Sequence, residues 1–355
     1  MNRGTASESG VVPRPAQPSG SHMEAVAAAP SVADRFAWSA LRYPVPPGAN
    51  RLGYMLGGIT FVAFLLLVLT GLVLDQFYDP NALGAHDSVV YLMTRVPLGA
   101  WLRGVHLWAA TSMLITVQLH LIWVFWHRGY RAPREVTWWT GVLLLLVVFG
   151  LAFTGTALRA DQEAGEALAH AVEGAERVGV FGAVLTEGFT QSTSLLARVH
   201  NMHVSLLPLA LVALVAGHFW LIRHLGMSVA GPKSATFAEH ARRLGGFGLL
   251  LTGAIAAAAW AFVPGIGYPA VAGTEVTKPF WPFLWIYTFE NLVGITGILI
   301  APAALFGFLL LVPVLDRGTG PRRMWVAALA WAMLIVYLVA LVWGFLARQQ
   351  QHIGM

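Results

Sequence analysis

Seven apolar runs, near 54–76, 100–126, 137–158, 195–222, 246–264, 284–314 and 325–346, dominate this 355-residue chain. Each is long enough to cross a bilayer, because about 20 helical residues span the hydrocarbon. The chain is 57% hydrophobic and only 11% charged, against roughly 25% charged in soluble domains. No aqueous core absorbs that much apolar surface. In lipid the backbone must satisfy its own polar groups, so the runs are expected as helices. The expected fold class is an all-α integral membrane protein with seven transmembrane helices. A four-helix bundle is expected over 48–232 and a three-helix C-terminal unit over 233–355. Residues 1–47, rich in Ala, Pro, Ser and Gly without an apolar run, read as a disordered tail.

Charge placement orients the spans. Arg128, Arg131 and Arg134 follow the second run, Arg223, Lys233, Arg242 and Arg243 the fourth, and Arg317, Arg322 and Arg323 the sixth. The loop after the third run instead carries Asp161, Glu163, Glu166, Glu173, Glu176 and Glu187. Basic loops stay cytoplasmic, so the N-terminus and the three basic loops are placed inside, and the acidic loop faces the positive side. That acidic loop is too long for a turn and is expected to form short amphipathic helices on the membrane surface. The basic residues lie in short loops between apolar spans, which argues against nucleic-acid binding. With no cysteine, disulfides, iron–sulfur ligation and thioether-linked haem are excluded.

The second run, GVHLWAATSMLITVQLHLIWV, holds His106 and His120. Fourteen residues of α-helix rise about 21 Å and return to within about 40° of the starting face. The fourth run holds His203 and His218; fifteen residues rise about 22 Å and return to within about 60°. The two runs point the same way, so their imidazoles are expected to meet as two pairs at two depths, His106 with His203 and His120 with His218. An unpaired imidazole in lipid is costly, whereas two facing imidazoles are what a bis-histidine haem requires. The four histidines are therefore candidate iron ligands for two non-covalent b-type haems. Gly57 and Gly71 in the first run, and Gly141 and Gly155 in the third, repeat the 14-residue spacing. They are expected where a haem edge presses on a helix and leaves no room for a side chain.

These features resemble cytochrome b of the Rieske/cytochrome bc complexes. The resemblance runs through YMLGGITF, YDPNALGAHDSVVYLM, WLRGVHLWAATSM, APREVTWWTG, LLARVHNMHVSLLP and HFWLIRHLGMS. The 15-residue spacing and seven helices are similar to the shorter plastid-type form, with its four-helix and three-helix parts fused here. The resemblance implies that His106 and His203 hold the positive-side haem and His120 and His218 the cytoplasmic-side haem. It also implies that Arg103 and Arg198 stand near the positive-side haem propionates, and that Arg223 stands at the cytoplasmic-side quinone pocket. It further implies quinone and quinol as substrate, a Rieske iron–sulfur protein and a c-type cytochrome as partners, a homodimer within a larger complex, and a place in the bacterial cytoplasmic (inner) membrane.

The chain departs from that family in places. Trp123 replaces an arginine, leaving Arg128 as an alternative partner for the propionate, and Met55 stands where the plastid-type form carries a haem-binding cysteine. The family's Pro-Trp-x-Gln reads Arg159-Ala160-Asp161-Gln162, and its Pro-Glu-Trp-Tyr reads Pro279-Phe280-Trp281-Pro282. Both segments frame the positive-side quinol site, and Phe280 cannot take a proton as glutamate does. Three readings follow. A displaced acid serves (Glu275, Glu290, Asp161 or Glu163), or His200 accepts the proton. In the third, quinol is not oxidised there, and the haems wire another periplasmic oxidoreductase to the quinone pool. Against all of these stands a haem-free transporter with histidine proton relays, which explains neither the matched glycines nor the paired depths.

Overall fold

The computed structural model describes residues 43–229, 234–318, 320, 321 and 323–350. Most of the expected tail over 1–47, and also Lys233 and Arg322, lie outside the described residues. Ten helices are found among the described residues: α1 Leu52–Asp75, α2 Ala85–Arg95, α3 Gly99–Trp126, α4 Glu135–Ala157, α5 Gln162–Arg177, α6 Leu195–Leu225, α7 Phe237–Ala261, α8 Leu284–Val293, α9 Ile295–Leu315 and α10 Met324–Leu346. Seven of them (α1, α3, α4, α6, α7, α9 and α10) are long and apolar enough to cross a membrane. The chain is thus an all-α, multi-pass membrane protein. Two short strands, β1 Pro44–Val45 and β2 Ala235–Thr236, pair antiparallel.

Helix α1 packs along α3, and α4 along α6. The two histidine-bearing helices are therefore each backed by a glycine-bearing one. Helix α7 packs on α1 and α3, while α8 packs on α10 and α9.

Two expected boundaries shift, each for a local reason, and the acidic loop folds into short helices as expected. The fifth helix begins at Phe237, nine residues earlier than its apolar run. Thr236 Oγ1 accepts from the Glu239 amide and Glu239 Oε2 from the Thr236 amide, both at 3.3 Å. This capping box satisfies two orphan donors and so extends the helix past the apolar stretch. The sixth run is not one helix: Gly294, at φ 71°, divides it into α8 and α9. That left-handed backbone suits glycine. The long loop after α4 folds as α5 and three short 3₁₀ turns.

Proline leaves a need in α9 that another helix meets. Pro313 has no N–H to give the Leu309 carbonyl. Trp138 Nε1 of α4 donates to that carbonyl at 2.7 Å, and Trp139 Nε1 donates to Leu310 O at 2.9 Å. Where no water reaches, a replacement donor is what makes an intrahelical proline tolerable. At the same end of the bundle, Asp316 ties the loop after α3 to the loop after α9. It is fully buried and accepts from Arg131 Nη2 at 2.9 Å, from Tyr130 Oη at 2.5 Å and from the Arg323 amide at 2.9 Å. Burial opposes its charge, but these donors outweigh burial and hold the carboxyl below the usual range.

Candidate functional site

His106 on α3 and His203 on α6 face each other with ring centroids 6.4 Å apart and planes at 66°. His120 and His218 lie within electrostatic reach of one another one span-length away. The pairing expected from spacing alone is the pairing found. The 15-residue interval on α6 has a structural reason: residues Met202–Leu206 form a π-turn that contains His203. A π-turn adds one residue without advancing the helix face. Fifteen residues on α6 therefore do the work of fourteen on α3.

The imidazoles are held in a common way. Thr70 Oγ1 lies 2.9 Å from His106 Nδ1, Thr154 Oγ1 3.0 Å from His203 Nδ1, and Thr140 Oγ1 3.0 Å from His218 Nδ1. Each hydroxyl already donates its hydrogen backward, to Leu66 O, Gly150 O and Thr137 O respectively. Its oxygen must therefore accept from Nδ1–H, and this tautomer leaves the Nε2 lone pair free to bind a metal. His120 differs. Its Nδ1 is buried without a hydrogen-bond partner among the described residues.

Each of these threonines immediately precedes one of the expected glycines, in Thr70-Gly71, Thr140-Gly141 and Thr154-Gly155. Each glycine presses on an imidazole. A Cβ added at Gly155 would stand 2.9 Å from His203 Cε1, at Gly57 3.0 Å from His120 Cε1, at Gly71 3.4 Å from His106 Cε1 and at Gly141 3.5 Å from His218 Cε1. At Gly155 and Gly57 the missing side chain makes room for the ring, whereas at Gly71 and Gly141 a Cβ would meet it at ordinary contact distance. Gly57 follows Leu56 rather than a threonine, which accounts for the bare Nδ1 of His120. The three Thr-Gly pairs are the sequence signal for this hold on the imidazoles, one that the 14-residue glycine spacing does not carry.

The residues fit a bis-histidine haem. Two metal–imidazole bonds of about 2 Å, with roughly 1 Å more from each nitrogen to its ring centre, bring two ring centres about 6 Å apart. The His106/His203 separation of 6.4 Å agrees.

The arginines are engaged with backbone. Arg103 Nη1 donates to Pro264 O at 2.7 Å and to Gly265 O at 3.3 Å. Arg198, nearly buried, donates to Val184 O, Thr193 O and Thr186 O, and stacks over Phe189. Both pin loops over the His106/His203 end. Arg223 lies in the last turn of α6. Trp123 stacks on His127 at 4.1 Å and fills the space above Gly53, and Arg128 donates to Gly320 O at 3.3 Å.

The five candidate proton acceptors separate into two kinds. Asp161 is buried as the N-cap of α5. It accepts from the Ala164 and Gly267 amides and pairs with Arg159, so it holds structure together. His200 Nε2 lies 2.8 Å from Asp75 Oδ1 and its ring stacks on Tyr78. Glu275 and Glu290, 15 residues apart in sequence, come together on His170. Glu290 Oε1 lies 2.9 Å from Nδ1 and Glu275 Oε1 3.2 Å from Nε2. Both carboxylates are buried. These three groups line a cavity of about 410 Å³ with Glu163, Phe280 and Tyr287. Thr156 lines it too, two residues beyond the Thr154 that holds His203. The cavity therefore adjoins the His106/His203 pair.

Two ionisable groups of the cavity are displaced from their ordinary values. Burial raises the Glu163 carboxyl and nearby Asp161 adds to the rise; Arg159 and the Phe280 backbone pull against it without cancelling it. Burial alone would lower His170, but Glu290 and Glu275 outweigh it and raise the imidazole. His170 was not among the residues singled out from sequence. Its signal was the α5 face, where Glu163, Glu166 and His170 recur at intervals of three and four.

The family described as Cytochrome b/b6/petB matches residues 41–226, about half of the chain. The chain is 36% identical over 190 residues to cytochrome b6 of Heliobacterium mobile, covering 52% of this chain and 89% of that one. It is also 36% identical over 180 residues to the menaquinol:cytochrome c reductase cytochrome b subunit of Geobacillus thermodenitrificans, covering 49% and 80%. Among solved structures, a chain of a hyperthermophilic respiratory Complex III superposes with a TM-score of 0.76 at 23% identity, over 88% of this chain and 89% of that chain. This likeness extends the fold into the C-terminal three spans.

Proposed function

The chain belongs to the cytochrome b/b6 family, and from that premise we propose that it is the dihaem cytochrome b subunit of a quinol-oxidising complex. The observation that carries this reading is the two pairs of facing imidazoles at two depths, one pair with ring centroids 6.4 Å apart, three of the four rings being held through Nδ1. His106 with His203, and His120 with His218, would each hold a haem, which would supply one-electron transfer chemistry. The protein's part is to fix each imidazole. Thr70, Thr140 and Thr154 set the tautomer, and Gly57 and Gly155 let the rings of His120 and His203 approach their backing helices.

The positive-side quinol site is assigned to the cavity of about 410 Å³ beside His203, a size suited to a substituted ring. The N-terminus and the Arg131/Asp316 end face the cytoplasm in this reading, and the membrane is the bacterial inner membrane. A Rieske iron–sulfur protein and a c-type cytochrome are the partners, with a homodimer as the core of the complex. Over 48–232 the chain is the dihaem domain and over 233–355 a three-helix unit that completes the quinol site. Phe280, in place of an acid, favours a second reading in which this site is idle and the haems wire another periplasmic oxidoreductase to the quinone pool. The buried acids of the cavity favour the first.

Reduced-minus-oxidised spectra and pyridine haemochrome titration of the purified protein test the assignment. Two b haems per chain are expected. His106→Ala and His203→Ala are each expected to remove one haem and spare the other. Equal loss of both haems would contradict the pairing.

A further inference from the structure

The cavity holds a constellation that neither the electron path nor the loop architecture uses. An imidazole stands between two buried carboxylates, and its two nitrogens address different partners. Glu290 belongs to α8, well past the start of that helix, and faces Nδ1. Glu275 belongs to the segment 262–280 between α7 and α8 and faces Nε2. Their side chains are 3% and 2% exposed, and His170 is 15% exposed. Burying two carboxylates costs several kcal/mol each unless they are paired. A purely structural tie needs only one of them.

We propose that Glu290, His170 and Glu275 form a proton path that takes the quinol hydroxyl proton out of this cavity. The proposal rests on the cavity being the quinol-oxidising site. The imidazole geometry carries it, because a ring that passes protons must receive on one nitrogen and release from the other. The quinol O–H bond breaks and its proton joins a Glu290 carboxylate oxygen. Glu290 hands a proton to Nδ1 as Nε2 releases one to Glu275, so the imidazole ends with the proton count it began with. The quinol's two electrons would leave singly, one to a one-electron acceptor of the iron–sulfur class on a partner protein and one to the haem that His106 and His203 would hold. Its second proton departs on the acceptor's side.

The other charged groups around the cluster are already committed. On α5, Glu166 accepts from the Val276 and Thr277 amides and the Thr277 hydroxyl. Also on α5, Glu163 takes Arg159 Nη1 at 2.7 Å, and Glu173 pairs with Arg177. Lys278, in the segment before α8, donates to Phe345 O, and the Tyr287 hydroxyl of α8 accepts from the Gln350 amide. The imidazole is also raised by its two carboxylates, so it takes a proton here more readily than a free imidazole does.

The test is stopped-flow reduction of the b haems by short-tailed ubiquinol and menaquinol analogues. Membranes carrying the assembled complex are used, with the cytoplasmic-side quinone site blocked, from pH 5.5 to 8.5. Wild-type reduction is expected to accelerate with pH as the cluster loses its resting proton. Glu290→Gln is expected to slow it on the order of 10²-fold and to flatten that rise. His170→Asn is expected to slow it and to displace the rise to higher pH, because two carboxylates without the imidazole hold a proton more tightly. Glu290→Asp is expected to recover rate, which a folding defect would not allow, and haem spectra establish assembly in every variant. Wild-type rates and pH profiles in both Glu290→Gln and His170→Asn would overturn the path, as would a loss confined to Glu163→Gln. If wild-type protein itself reduces no haem with the cytoplasmic side blocked, the quinol-site reading fails and the path falls with it.

Discussion

Gly155→Ala isolates the contact between a backing helix and a metal-binding imidazole. The new Cβ would stand 2.9 Å from His203 Cε1 and 3.5 Å from its Nδ1 and Nε2. Carbon atoms pack at about 3.5–4.0 Å, so the ring must retreat by more than half an ångström. It cannot do so freely, because Nδ1 is held 3.0 Å from Thr154 Oγ1, on the residue preceding the mutation. Overpacking of this kind costs about 1–3 kcal/mol, and loss of the threonine bond adds about 1 kcal/mol. Replacing a helical glycine, here in the last turn of α4, returns at most roughly 0.5–1 kcal/mol, leaving a net penalty of about 1–3.5 kcal/mol. Gly141→Ala is the matched control, since its Cβ meets His218 Cε1 at 3.5 Å, an ordinary contact. That variant is expected to be neutral or slightly stabilising. The assay is a redox titration of each b haem with thermal bleaching of the haem band. Gly155→Ala is expected to weaken or lose the His106/His203 haem only, and Gly141→Ala to retain both. Equal damage from the two alanines would refute the argument that ring clearance selects glycine.

Thr154→Val removes the acceptor of His203 Nδ1–H. A bond worth about 1 kcal/mol corresponds to roughly 40 mV for one electron, so the midpoint of the His106/His203 haem is expected to rise by tens of millivolts; an unchanged midpoint counts against the tautomer assignment. Trp138→Phe leaves the Leu309 carbonyl without its donor beside Pro313, and a thermal melt is expected to show destabilisation of about 1–3 kcal/mol. Asp316 has a depressed carboxyl, so its contribution is full above the ordinary aspartate pKa of about 3.9 and is lost as pH falls through the lower folded value. Asp316→Asn is expected to mimic that loss at neutral pH and to speed hydrogen exchange over 127–134 and 316–323; wild-type exchange there would show that the tie to Arg131 is idle.

The chain's local order decided most of the bundle. Apolar runs longer than the hydrocarbon is thick leave no alternative to spanning helices, because lipid offers the backbone no other hydrogen-bond partner. The pairing of His106 with His203 was legible for the same reason, since helix rise and twist fix depth and face over 14 residues. What local order could not reveal was distance across the fold. Gly294 reads as one more small residue in an apolar run until its positive φ divides α8 from α9. The 15-residue interval on α6 looks one residue, about 100° of helix rotation, out of step with the 14 on α3 until the π-turn at His203 absorbs a residue. Nothing in the local sequence of Arg103 or Arg198 points to the loop carbonyls that their guanidinium groups clasp in the structure. Above all, His170, Glu275 and Glu290 lie on three separate elements, and each alone is an ordinary polar residue near a membrane surface. Only the packing of α5 on α4 and α9 brings His170 to Glu290 of α8 and Glu275 of the preceding segment at one cavity wall. There, burial makes each carboxylate depend on the imidazole between them.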